Sequence, residues 1–117
     1  GSNDIPHTET PLAYFQDAYR KLVEMTLLRV PDANLILHTL PPTGKQYRKH
    51  ELFNPRAIEF NKFIRGLAEE KNLPLIDLHS LWQNEEGMLP EHMTRDGLHV
   101  NREGYALWAG EARSHLN

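Results

Sequence analysis

At 117 residues and a net charge of −3, the chain has room for one domain or part of one, with no electrostatic reason to bind nucleic acid or an anionic membrane. It holds no cysteine, which excludes disulfides, thiolate metal sites and a cysteine nucleophile. Apolar residues make up 39% of it, yet no apolar run approaches the roughly 18 residues that span a bilayer, and either a cytoplasmic or an exported location fits.

Residues 1–10 are polar and turn-rich and read as a loop. Thr10 then caps a helix with Pro11 at its first position, and Pro31 stops it near Arg29. Phe15, Ala18, Tyr19, Leu22, Val23 and Thr26 recur at helical spacing and form its expected buried stripe. Leu35–Leu40 is a short apolar run between turn signals, the pattern of a buried parallel strand. Pro41-Pro42-Thr43-Gly44 ends it and opens a polar loop through about Glu51, which could line a pocket or simply be a solvated connection.

A second helix is expected from Asn54, as cap, to Lys71, with Pro55 at its first position and Ile58, Phe60, Phe63, Ile64, Leu67 and Ala68 buried. Leu73–Leu78 reads as a second strand, and a polar segment through Gly87 and Pro90 leads on from it. Trp82, Met88, Leu89 and Met93 give that segment unusual apolar bulk, suited to a pocket wall or to packing under a long loop. Asn101 caps the last helix, and Glu103 puts negative charge in its first turn, where the helix dipole favours it. Tyr105, Trp108, Ala109, Ala112 and Leu116 form its docking face.

Helix, strand, helix, strand, helix argues for an α/β layered fold with parallel strands and helical crossovers, all within one domain, residues 1–117. Two strands are too few for such a sheet, since a parallel sheet is covered on both faces and its open edges invite further pairing. A further N-terminal segment or a second chain is therefore expected to complete it. Ligands bind beyond the carboxyl ends of the strands in such sheets. Three loops leave that edge: the one opening with Asn3, the one after Leu40, and the one after Leu78 that leads to Asp96 and His99.

Asp96 and His99 are three residues apart in a loop that a docked helix would hold still. A carboxylate bonded to one ring nitrogen orients the imidazole and leaves the other nitrogen free to take a proton. The run Asp96-Gly-Leu-His99-Val-Asn101-Arg-Glu-Gly104-Tyr-Ala-Leu-Trp108 resembles the last block of the SGNH (GDSL-type) esterases and lipases, and Gly1-Ser2-Asn3-Asp4 resembles that family's G-x-N-D block. The two blocks bracket the chain, while the family's Gly-Asp-Ser block and its oxyanion-hole Gly block match none of the 117 residues.

The resemblance implies a flavodoxin-like three-layer α/β/α fold with about five parallel strands, of which this chain is the C-terminal part. It implies a serine hydrolase cleaving a small-molecule carboxylic ester, with His99 as base, Asp96 orienting it and Asn3 donating to the oxyanion. The nucleophile segment would lie elsewhere, and no cofactor is implied. The alternative is a truncated or degenerate relative that acts as a binding module. Among the serines present, Ser2 occupies the variable position of G-x-N-D, Ser80 follows a strand without the glycine-flanked turn of a strand-end nucleophile, and Ser114 lies late in a helix. His7 and His38 fall near the same rim and read as structural. His79, His92, Asp96 and His99 match no metal-ligand spacing, so no metal site is expected.

Overall fold

The computed structural model describes residues 11–30 and 35–116. The elements are α1 (Leu12–Arg29), β1 (Leu37–His38), α2 (His50–Glu70), β2 (Leu75–Ile76), α3 (Leu78–Trp82), a single 3₁₀ turn (Glu91–Met93) and α4 (Arg102–Leu116). The alternation expected from the sequence is present, and β1 pairs with β2 in parallel, Leu37 opposite Leu75 and His38 opposite Ile76. No helix among the described residues is long and apolar enough to cross a membrane.

Both strands are shorter than their apolar runs, for a local reason. The Leu37 and Thr39 amides donate to the carbonyls of Pro74 and Ile76, at 2.9 and 3.1 Å. Pro74 itself has no N–H to offer, and the next residue of β1 turns away. The Leu40 N–H donates to Asn61 Oδ1 at 2.7 Å, and Asn61 Nδ2 returns a bond to the Leu40 carbonyl at 3.0 Å. A buried side-chain amide on α2 thus replaces a strand partner at this point.

α2 starts at His50 rather than at Asn54, because Lys49 accepts the first helical amides, from Leu52 and Phe53. Pro55 therefore sits inside the helix near its start, where the lost donor costs little. The far end closes as the sequence suggests. Asn72 adopts φ +55°, its amide reaches Glu69, and Leu73 N–H bonds the Ala68 carbonyl, a Schellman closure with Asn in place of Gly.

Two buried clusters follow. The larger joins Val23 of α1, Leu37 of β1 and Phe53, Ala57, Phe60, Ile64, Leu67 and Ala68 of α2. Both expected faces are largely buried, with departures: on α1 Phe15, Tyr19 and Val23 pack together with Leu12 and Leu27 while Leu22 is 63% exposed, and on α2 Phe60, Phe63, Ile64, Leu67 and Ala68 pack together with Ala57 and Asn61 while Ile58 is 45% exposed. The smaller cluster, Trp82, Leu89 and Met93 with Leu78, Leu81 and Val100 against it, lies beneath the loops that carry Asp96 and His99. The segment after β2, read as polar connection, contains α3 and the 3₁₀ turn.

Candidate active site

The site loop is built by a short sequence of local bonds. Thr94 and Val100 form an antiparallel bridge that closes the loop at its base. The buried Thr94 hydroxyl accepts from Gly97 N–H at 2.8 Å and donates to the His99 carbonyl at 2.8 Å. Gly97 has φ +83°, a backbone that costs side-chain-bearing residues and suits glycine. Asn101 closes the loop onto α4, with Oδ1 accepting from Glu103 and Gly104 N–H at 3.0 and 3.4 Å and Nδ2 donating to the His92 carbonyl at 2.7 Å. The expected cap is therefore formed, and it fixes the 3₁₀ turn before the loop as well as the helix after it.

Within this frame Asp96 folds back on the turn it opens. Its Oδ1 accepts from the Leu98 and His99 amides at 2.9 and 2.8 Å, and its Oδ2 stands 2.6 Å from His99 Nδ1. These bonds hold the carboxyl far below the usual carboxylate range: the His99 amide contributes most, then the imidazole, then the Leu98 amide. An ionised Asp96 assigns the Nδ1 position as the proton-bearing one, leaving Nε2 with its lone pair. No described residue bonds Nε2, and the imidazole is 81% exposed. The pair can therefore accept a proton from a group delivered from outside these residues.

His99 borders a cavity of about 310 Å³ whose other walls include Pro41, Leu78, Trp82, Leu98, Tyr105 and Trp108. Trp82 is locked by its indole N–H, which donates to the Gly104 carbonyl at 2.9 Å, and Tyr105 meets it edge-on at 6.3 Å. Trp108 stacks on His38 and donates to its Nε2 at 3.0 Å, so His38 is engaged as an acceptor in the structure. The apolar bulk of Trp82 belongs to this wall, whereas Leu89 and Met93 pack beneath the loop.

The other candidates divide plainly. Asn3, with Ser2, Asp4 and His7, lies outside the described residues. Ser80 is not at a reactive turn: its hydroxyl donates to Asp77 Oδ2 at 2.9 Å, and Asp77 caps α3 by accepting the Ser80 amide. Burial pushes the Asp77 carboxyl up, but hydrogen bonds from Thr39, Ser80 and Arg65 outweigh it and hold the group below its ordinary value. Ser114 donates to the Glu111 carbonyl within α4. His79 is buried, with Nε2 unbonded, and burial lowers its affinity for a proton. His92 faces Glu103 at 3.7 Å on the surface. Among the described residues no three His, Asp or Glu side chains converge as a metal site would require.

The contact that sequence reasoning did not find is that of the loop after β1 with the Asp96 turn: Gly44 N–H donates to the Gly97 carbonyl at 2.7 Å. The only signal for it was glycine in both segments.

A family model described as the GDSL-like lipase/acylhydrolase family matches residues 1–107. No curated protein matches the chain. Among solved structures, a Streptococcus pneumonia protein provisionally named for platelet activating factor is similar at 19% identity with TM-score 0.86, over 100% of this chain and 56% of that one. A GDSL-like lipase from Bacteroides thetaiotaomicron is similar at 18% identity and TM-score 0.79, over 97% of this chain and 57% of that one. The esterase domain of a zebrafish retrotransposon ORF1 protein is similar at 22% identity and TM-score 0.76, over 92% and 60%. At these identities the likeness establishes the α/β fold, of which the chain spans little more than half the length found in these structures.

Proposed function

This chain belongs to the GDSL-like lipase/acylhydrolase family, and from that premise we propose that it supplies the base and its orienting carboxylate to a serine hydrolase of carboxylic esters. The observation that carries the reading is the 2.6 Å Asp96–His99 contact with Nε2 open beside an apolar cavity. A serine hydroxyl attacks the ester carbonyl as its proton passes to His99 Nε2. The tetrahedral intermediate then expels the alcohol, which leaves with that proton, and water repeats the sequence on the acyl-enzyme. Asp96 stabilises the imidazolium that forms in each half. Asn3 is assigned, on the family resemblance, as a side-chain donor to the oxyanion, a role worth on the order of 10²–10³ in rate.

Ser80 and Ser114 are engaged in local hydrogen bonds, and on the family resemblance Ser2 takes the variable position of the G-x-N-D block. We therefore assign the nucleophile to a serine outside these 117 residues, on a segment that adds strands to the open sheet. The aromatic wall suits an ester with an apolar group on one side of the carbonyl.

The test is to treat the protein from its natural source with a fluorophosphonate and read the intact mass and the site of labelling. Label on a serine outside this chain, lost in His99→Ala, is expected. Label on Ser2 or Ser80 would overturn the assignment of the nucleophile, and no label on any form would favour a non-catalytic binding module.

A further inference from the structure

The Asp96 turn is held from a distance as well as by its own bonds. We propose that Asn54, on α2, is a positioning residue for the Asp96–His99 pair, acting through the Thr43–Gly44 peptide. The proposal rests on the hydrolytic reading for its consequence in catalysis, although its geometry stands apart from it.

The Asn54 amide spends all its bonds on one residue. Its Oδ1 accepts from the Thr43 amide at 2.8 Å and from the Thr43 hydroxyl at 2.9 Å, and its Nδ2 donates to the Thr43 carbonyl at 3.2 Å. Thr43 is buried, and its carbonyl also accepts from Leu89 N–H at 3.2 Å. The next amide in the chain, that of Gly44, is the one that reaches the Gly97 carbonyl. One side chain, one peptide and one hydrogen bond therefore connect α2 to the residue that follows Asp96.

The link is stiff at both ends. Phe53 and Ala57, on either side of Asn54 in α2, are fully buried in the large cluster, so the amide is set by the core. At the other end the two backbones touch. A Cβ on Gly97 would collide with the Tyr47 nitrogen and stand 2.9 Å from the Gly44 carbonyl oxygen, and one on Gly44 would stand 2.9 Å from the Leu89 carbonyl oxygen and 3.3 Å from Gly97 Cα. A displacement of Thr43 has no slack to absorb it and moves the Asp96 turn. Asn61, two helical turns on, makes the equivalent amide clamp on Leu40 at the end of β1, which lacks the onward bond to the Asp96 turn. The amide chemistry matters at both places, since the planar Asn amide holds an acceptor and a donor side by side, matched to the N–H and carbonyl of one residue.

The experiment compares the intact protein with Asn54→Ala, Asn54→Asp and Ile64→Val, the last being a core change matched for loss of melting temperature. The readout is the NMR titration of the Asp96 carboxyl carbon, which reports how well the turn and the imidazole hold the carboxylate. Asn54→Ala should raise the proton affinity of Asp96 by about tenfold, Asn54→Asp by less, because two of the three bonds persist, and Ile64→Val not at all. An unchanged Asp96 titration in a folded Asn54→Ala would overturn the proposal, as would an equal change in Ile64→Val. If Asn54→Ala does not fold, an unchanged titration in Asn54→Asp overturns it instead. Where ester turnover is measured alongside, kcat should fall in step with the Asp96 shift while KM holds. Absence of turnover in every form would count against the hydrolytic reading and leave the titration result standing.

Discussion

Asp96 does two jobs with its two oxygens, and the predictions at this scale separate them. Oδ1 holds the turn through the Leu98 and His99 amides, while Oδ2 holds the imidazole. Asp96→Asn preserves the first and removes the negative partner of the second, so the fold should persist while turnover in the complete enzyme falls on the order of 10⁴. His99→Ala, which removes the proton acceptor, should cost on the order of 10⁶. The acid limb follows from the same bonds. A carboxyl whose folded affinity for protons lies below its ordinary value of 3.8 contributes stability that is fully present above that value and is lost progressively as pH falls from there through the folded one. The Leu98 and His99 amide resonances report the folded carboxyl directly, and should hold their positions as pH falls past 3.8 and move only in stronger acid. Movement near the ordinary carboxylate value would mean that the turn is looser than the bonds imply. Gly97→Ala attacks the same turn from the backbone, and its positive φ alone should cost roughly 1–3 kcal/mol, read from the shift in unfolding midpoint.

At the scale of elements, Asn101 repays the same separation. Its Oδ1 caps α4 and its Nδ2 ties the cap to the His92 carbonyl. Asn101→Ala loses both and should cost about 1–2 kcal/mol, roughly 4 °C or more in melting temperature, whereas Asn101→Asp keeps the cap, suits the helix dipole and should cost clearly less. Equal losses would place the weight on the His92 bond instead. That cap was legible in the sequence because every part of it is local: an Asn, an acidic first turn and an apolar stripe within a few residues. The Asp96–His99 pair was legible for the same reason. Asn54 was misread as a cap because its partner, Thr43, lies eleven residues back in another element. α3 has only five residues, too few for periodicity, although Asp77 followed by Ser80 carried a capping signal. The exposure of Leu22 on α1 and Ile58 on α2 has a common cause. Both helices carry apolar residues beyond one stripe, and only the partner element decides which set is buried.

The whole molecule is divided unevenly, and the division should be measurable. Eight buried residues join α1, β1 and α2, whereas three buried residues, Trp82, Leu89 and Met93, support the Asp96 loop. What crosses between the halves is largely polar: the Thr39 hydroxyl on Asp77 and the Asn54 amide on Thr43, which is itself bonded to Leu89. A region with few buried apolar contacts opens at a lower free energy than the core it leans on. In native-state hydrogen exchange the α2 amides from Ala57 to Leu67 should exchange only through global unfolding, while those of Gly97, Leu98 and His99 exchange through a smaller local opening. Two variants make the distinction sharp. Ile64→Ala empties a fully buried position of the large cluster, which stays folded when the loop opens, and should lower the protection of the α2 amides alone, by about 2–5 kcal/mol. Met93→Ala weakens contacts that both the local opening and global unfolding break, and should lower the protection of both sets. If Ile64→Ala lowers both equally, the molecule is one cooperative unit, and the polar links bind its halves as tightly as a continuous core would.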